Sequence, residues 1–152
     1  MKKIWKLAIS ILIPFLASAI GGLFTASSVS TWYVALNKPS FNPPNWVFGP
    51  VWTILYLMMG VSLYLVWTKR ADKKAFTAFG VQLSLNALWS VLFFGMQMPL
   101  YAFIEIVLLW IAILATIIYF YRINKTAAYL LIPYILWVSF ASVLNFSLYI
   151  LN

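Results

Sequence analysis

The chain has 152 residues, 65% hydrophobic and 8% charged, with a formal net charge of +8. Soluble domains are about half apolar and one-quarter charged, so this composition excludes a soluble globular enzyme, a disordered regulator and a coiled coil. It describes a single integral membrane domain.

The missing residue types narrow the chemistry. There is no Cys and no His, which removes disulfides, thiolate nucleophiles, zinc–sulfur sites and the commonest general base. Asp72 and Glu105 are the only carboxylates, so no metal site is expected. In so apolar a chain, the basic excess is read as membrane orientation and not as a nucleic-acid surface.

A membrane span needs about 20 mostly apolar residues. Residues 4–26, 50–68, 75–96, 99–121 and 127–150 qualify. None shows the alternation of a β-barrel strand. The predicted fold is all-α: a five-transmembrane-helix bundle forming one domain over 1–152. A long external loop, 27–49, joins helices one and two. Pro50 and Pro99 fall in first turns, where proline is tolerated.

The first span begins with Lys2, Lys3 and Lys6, and Ala17-Ser18-Ala19 resembles a signal-peptide cleavage site. The apolar run continues through Gly21, Gly22, Leu23 and Phe24, so it is read as a retained helix. Ala17, Gly21 and Thr25 form a stripe of small residues, beside Ser18, Gly22 and Ala26. Three readings stand open for these positions: packing inside the bundle, a dimer seam, and room for a ligand at Gly22.

With five spans, every basic residue except Lys38 falls on the side of the N-terminus. The positive-inside rule then puts the N-terminus in the cytoplasm and the C-terminus outside.

Loop one carries Trp32, Tyr33, Lys38, Pro39, Phe41, Pro43, Pro44, Trp46 and Phe48. Prolines stiffen it, and its aromatic content argues against disorder. It is read as a rigid lid over the mouth of the bundle. In the second span Trp52 and Tyr56 lie one turn apart, just below the lid.

In the third span Gln82, Asn86, Trp89 and Phe93 share one helical face. Amides are costly against lipid, so this face points inward. It serves either as cross-links between helices or as a binding wall. Glu105 is the only carboxylate within a span, and functional and structural readings both stand. In the fifth span Trp137, Ala141, Leu144 and Leu148 share a face near Asn145. The small Ala141 leaves space there, and Pro133 bends the helix or sets its entry.

These strings carry a resemblance. Trp32-Tyr33, Leu36, Lys38-Pro39, Phe41, Pro43-Pro44, Trp46, Phe48-Gly49-Pro50-Val51-Trp52 and Leu55-Tyr56 together resemble the translocator protein family. That family is also known as the tryptophan-rich sensory proteins or peripheral-type benzodiazepine receptors. Gln82–Asn86–Trp89-Ser90 with Phe93-Phe94-Gly95 is similar to its third helix. Pro133-Tyr134, Trp137, Phe140-Ala141 and Val143-Leu144-Asn145 are similar to its fifth. The likeness covers nearly the whole chain.

The resemblance implies a five-helix bundle that binds protoporphyrin-like tetrapyrroles, haem, and isoquinoline- or benzodiazepine-type ligands beneath loop one. Matching positions imply a lining of Gly22, Phe48, Gly49, Val51, Trp52, Asn86, Trp89, Trp137, Ala141 and Leu144. Trp32, Tyr33, Trp46, Tyr56, Gln82, Phe93 and Phe140 extend the expected ligand-binding set. Tyr101 joins it where relatives often have Trp. Light- and oxygen-dependent breakdown of protoporphyrin is implied, with Trp52 and Trp137 as the catalytic residues, and the enzyme assignment stays open.

The resemblance also implies a homodimer, no tightly bound cofactor, and porphyrin as ligand or substrate. No basic residue follows Tyr149, which argues against sterol binding through the fifth helix and favours a bacterial plasma membrane. The absence of His favours metal-free porphyrin over ligated haem. A porphyrin transporter and a sensor acting through a partner protein are the alternative functions.

Overall fold

Backbone groups in a bilayer find no water, so a spanning segment must satisfy them within itself as a helix. The computed structural model describes residues 1–152 and shows that outcome. Five segments are long and apolar enough to cross a membrane, and there is no strand. They are α1 (Lys3–Ser28), α3 (Phe48–Lys69), α4 (Lys73–Ser90), α5 (Pro99–Tyr121), and the pair α6 (Lys125–Tyr129) and α7 (Ile132–Leu151). α4 continues as a π-helical turn over Val91–Gly95. Loop one holds the short helix α2 (Trp32–Ala35) and a 3-10 turn over Asn45–Val47.

The expected spans agree with these helices to within a few residues, except at the fifth. There the single expected helix is broken after Tyr129 and restarts at Ile132, with Pro133 in the first turn of α7. Pro133 has no N–H and suits that position.

The helices close into a ring. α1 packs between α3 and α4, α4 packs on α5, α5 on α7, and α6 returns to α3. Ser62 Oγ donates to the Ala127 carbonyl at 2.7 Å, which ties α3 to α6. The main core fills the half of the ring nearer the N-terminus, with Met59, Val66, Phe79, Ile113, Phe120 and Val138 fully enclosed. A smaller core of Tyr33, Phe93, Ala102, Leu144 and Leu148 sits beneath loop one.

The tightest helix contact lies where α1 meets α3. Pro14, inside α1, cannot donate to the Ser10 carbonyl, so that oxygen loses its intrahelical partner. Gly60 of α3 fits against this exposed stretch of backbone. A Cβ built on Gly60 would lie 2.8 Å from the Ile11 Cα and 3.0 Å from the Ser10 oxygen. The small stripe of α1 divides similarly. Ala17 and Gly21 are buried; Gly21 packs against Ser90 of α4 and also borders a cavity.

The cytoplasm-facing ends expected from charge are capped by side chains. Asp72 Oδ1 accepts from the Ala75 N–H at 3.0 Å, and Asn124 Oδ1 accepts from the Ala127 N–H at 3.2 Å. The Ala75 N–H, and then the Arg70 guanidinium at 3.1 Å, hold the Asp72 carboxyl below its ordinary range. At the opposite end the link between α4 and α5 turns through Gln97, whose φ of 55° lies in the left-handed region.

Loop one is folded. Tyr33 is 4% exposed, packs on Phe93 and Phe94, and donates its hydroxyl to Asn42 Oδ1 at 3.0 Å. Burial pushes its phenol above the ordinary value. Lys38 lies 4.9 Å over the Tyr33 ring and donates to the carbonyls of Val34 and Leu36. The loop is also fastened to the end of α7. The Asn37 N–H donates to Asn152 Oδ1 at 2.9 Å, and Asn152 Nδ2 donates back to the Asn37 carbonyl at 2.9 Å.

Candidate functional site: an aromatic cavity beneath loop one

α3 and α7 make few close backbone approaches near loop one. Aromatic rings bridge the space between them. Trp52 stacks on Tyr56 at 5.6 Å and meets Trp137 edge-on at 6.5 Å, while Phe48 meets Trp137 at 5.9 Å. Large rings hold the helices apart, and a cavity of about 390 Å³ lies beside them. That volume falls within the range of about 300–1,000 Å³ typical of small-molecule sites.

The π turn shapes the opposite wall. Adding a residue to one turn of helix changes which side chains face inward. Trp89, Ser90, Phe93 and Phe94 all line the cavity. Trp89 and Phe93 stack at 5.0 Å, and Phe94 meets Phe93 edge-on at 4.9 Å. The Ser28 hydroxyl donates to the Phe94 carbonyl at 2.6 Å and so fixes the turn to the end of α1.

Two amides give the cavity its polar end. Asn86 is held from both sides: the Tyr56 hydroxyl donates to its Oδ1, and its Nδ2 donates to the Tyr134 hydroxyl at 2.8 Å. Tyr134 in turn donates to Gln82 Oε1 at 2.8 Å. The chain links Tyr56, Asn86, Tyr134 and Gln82 across three helices. Asn145 is fixed in the same manner. It accepts from Trp89 Nε1 at 2.9 Å and donates to the Pro99 carbonyl at 2.8 Å. No lining residue carries a charge.

Of the residues expected from sequence, Gly22, Tyr33, Phe48, Gly49, Trp52, Tyr56, Asn86, Trp89, Phe93, Trp137, Ala141 and Leu144 line the cavity. Six others do not. Gln82 is fully buried one turn further from loop one, so it cross-links helices and forms no part of the wall. Val51 packs against the main core. Trp32 lies behind Phe93, edge-on at 5.4 Å, and Phe140 lies behind Trp137 at 5.5 Å. Trp46 is 74% exposed and Tyr101 59% exposed, both pointing away from the bundle.

Sequence reasoning missed Ser18, Gly21, Thr25, Val29, Asn45, Thr53, Ser90, Phe94, Asn145 and Leu148 as lining. Leu148 was on the face already drawn through Trp137 and Leu144. Phe94 had no periodic signal, because the π turn brings it in.

Glu105 is only 5% exposed, yet it does not line the cavity. Neither carboxyl oxygen has a protein hydrogen-bond partner. An unsatisfied buried polar group costs about 1–3 kcal/mol. Glu105→Met, close in volume, is therefore expected to raise the thermal midpoint and leave ligand affinity unchanged. A lower midpoint would show that the carboxyl makes a stabilising contact.

A ring of spanning helices around an uncharged aromatic cavity, closed by a folded loop, defines a multi-pass membrane protein. The model of the TspO/MBR family matches residues 10–151, and the chain belongs to that family. It is 48% identical over 151 residues to the tryptophan-rich protein TspO of Archaeoglobus fulgidus, covering 98% of each chain. It is 39% identical over 140 residues to the human translocator protein, covering 89% of this chain and 83% of the human one. The tryptophan-rich sensory protein of Cereibacter sphaeroides is 36% identical over 121 residues, covering 80% and 77%.

Proposed function

We propose that the cavity binds a flat, largely apolar tetrapyrrole of the protoporphyrin class, and that isoquinoline- and benzodiazepine-type aromatics compete for it. The observation carrying this reading is the pairing of two ring walls, Phe48–Trp52–Trp137 and Trp89–Phe93–Phe94, across one cavity lined by 22 residues. Stacking surfaces with a few fixed polar groups suit a planar ligand with a polar edge. The chain supplies no His or Cys as an iron ligand, which favours the metal-free ring. The carboxylates of such a ligand find no counter-charge within the lining, so they belong at the loop-one end, towards water.

Indole rings in contact with the ligand would also be electron donors to its excited state. Light- and oxygen-dependent breakdown of the bound tetrapyrrole, with Trp52 and Trp137 as the reacting side chains, is the activity we attach to this reading. The basic residues gathered on the N-terminal side of the bundle support a cytoplasmic position for that face, with loop one and the C-terminus outside.

The test is a titration of the purified protein with protoporphyrin in the dark, followed by tryptophan fluorescence, then illumination in oxygen. Saturable quenching and a defined breakdown product are expected. Quenching that rises linearly without saturation removes the binding reading. Saturation followed by uniform bleaching removes the chemical one.

A further inference from the structure

We propose that ligands enter the cavity sideways, from the lipid, through a gap between α1 and α3, and not from water past loop one. The inference rests on the reading of the cavity as a site for an apolar aromatic molecule.

The gap follows from where the two helices carry glycine. α1 and α3 touch backbone to backbone at Gly60 and Ile11. Nearer loop one their glycines face open space. A Cβ on Gly22 or on Gly49 would meet nothing within 4 Å. Gly22, Gly49 and Thr53 line the cavity and are exposed. Gly22 lies six residues from the end of α1 at Ser28, which is about 9 Å along the axis. The opening therefore sits within the outer part of the bilayer.

The chemistry of the rim suits lipid. Thr53 donates its hydroxyl to the Gly49 carbonyl at 2.8 Å, and Thr25 donates to the Gly21 carbonyl at 2.9 Å. Both hydroxyls are satisfied by their own helices, which leaves methyl groups and glycine backbone at the edge. An apolar ring crossing here gives up no hydrogen bonds to water and meets no unpaired threonine hydroxyl.

The route through loop one is closed by comparison. Tyr33 is packed against Phe93 and Phe94, Lys38 is held by two carbonyls, and Asn37 is fastened to Asn152. Opening that route means breaking all of these contacts; opening the lateral one breaks none of them.

Exchange kinetics in phosphatidylcholine vesicles test the proposal, with protoporphyrin as probe and tryptophan quenching as signal. Gly49→Leu and Thr53→Leu, made separately, are expected to slow binding and release alike by about tenfold or more, whereas a change in the pocket alone would act mainly on release. Asn152→Ala, which removes the fastening of loop one to the end of α7, is expected to leave both rates within about twofold. Faster exchange in Asn152→Ala with unchanged rates in the rim variants overturns the lateral route.

A ligand-free readout separates this failure from failure of the tetrapyrrole reading. The chain has no Cys, so Ser18→Cys places a single thiol on the cavity wall. A membrane-soluble maleimide is expected to label it faster than a charged thiosulfonate does, and Gly49→Leu is expected to slow that labelling. Equal labelling by both reagents, insensitive to Gly49→Leu, overturns the route whatever the ligand proves to be.

Discussion

Gly60→Val is expected to be the most destabilising single change in the membrane-spanning part of the protein. Any Cβ at position 60 would fall 2.8 Å from the Ile11 Cα, and the obstacle is backbone, which has no rotamer to change. α1 and α3 must separate along the seam where they pack. Overpacking a tight contact costs about 1–3 kcal/mol and more where nothing can give, so a loss of about 3 kcal/mol is expected. Thermal unfolding in detergent measures it. Gly80→Ala is the matched control, because a Cβ there meets nothing within 4 Å and the position is exposed. Replacing a mid-helix glycine by alanine is worth about 0.5–1 kcal/mol, so this variant should unfold at the same or a higher temperature. Equal midpoints for Gly60→Val and Gly80→Ala would show that the crossing has room to relax.

Trp52→Ala combined with Trp137→Ala is expected to weaken tetrapyrrole binding by roughly 10²–10³-fold. A central aromatic anchor contributes about 2 kcal/mol or more. The two rings touch at 6.5 Å, so their effects are coupled and the sum is an upper guide. Truncation also removes rings that hold α3 and α7 apart. Trp52→Phe with Trp137→Phe keeps a ring at each position and is expected to preserve most of the affinity while abolishing light-dependent breakdown. Trp46→Ala serves as the control, since that side chain is 74% exposed and outside the cavity. Unchanged affinity in the double alanine variant would place the ligand elsewhere.

Much of this architecture was legible because the relevant signals are local. Span lengths follow from bilayer thickness, and the alignment of Asn86, Trp89 and Phe93 follows from helical periodicity. Periodicity could not rank positions along that face. Gln82 has the same spacing as Asn86 but sits one turn too deep to reach the cavity. Features that depend on chain geometry were hidden. The π turn has no spacing signal, and only the structure shows Phe94 joining the wall. The close crossing was signalled weakly by Pro14, a proline in mid-span whose importance appears only when Gly60 lies against the carbonyl it frees. The fastening of Asn37 to Asn152 joins residues 115 positions apart, a separation that no local pattern spans.

The absence of charge from the cavity wall has an electrical consequence. With no fixed charge to pair with or repel, affinity for a neutral ligand should be independent of ionic strength and of the transmembrane voltage. Moving one elementary charge through the full membrane field costs about 2.3 kcal/mol per 100 mV, whereas a neutral molecule entering an uncharged site does no such work. Occupancy by a neutral aromatic ligand would then report how much of it is dissolved in the membrane, and would do so equally in an energised cell and a depolarised one.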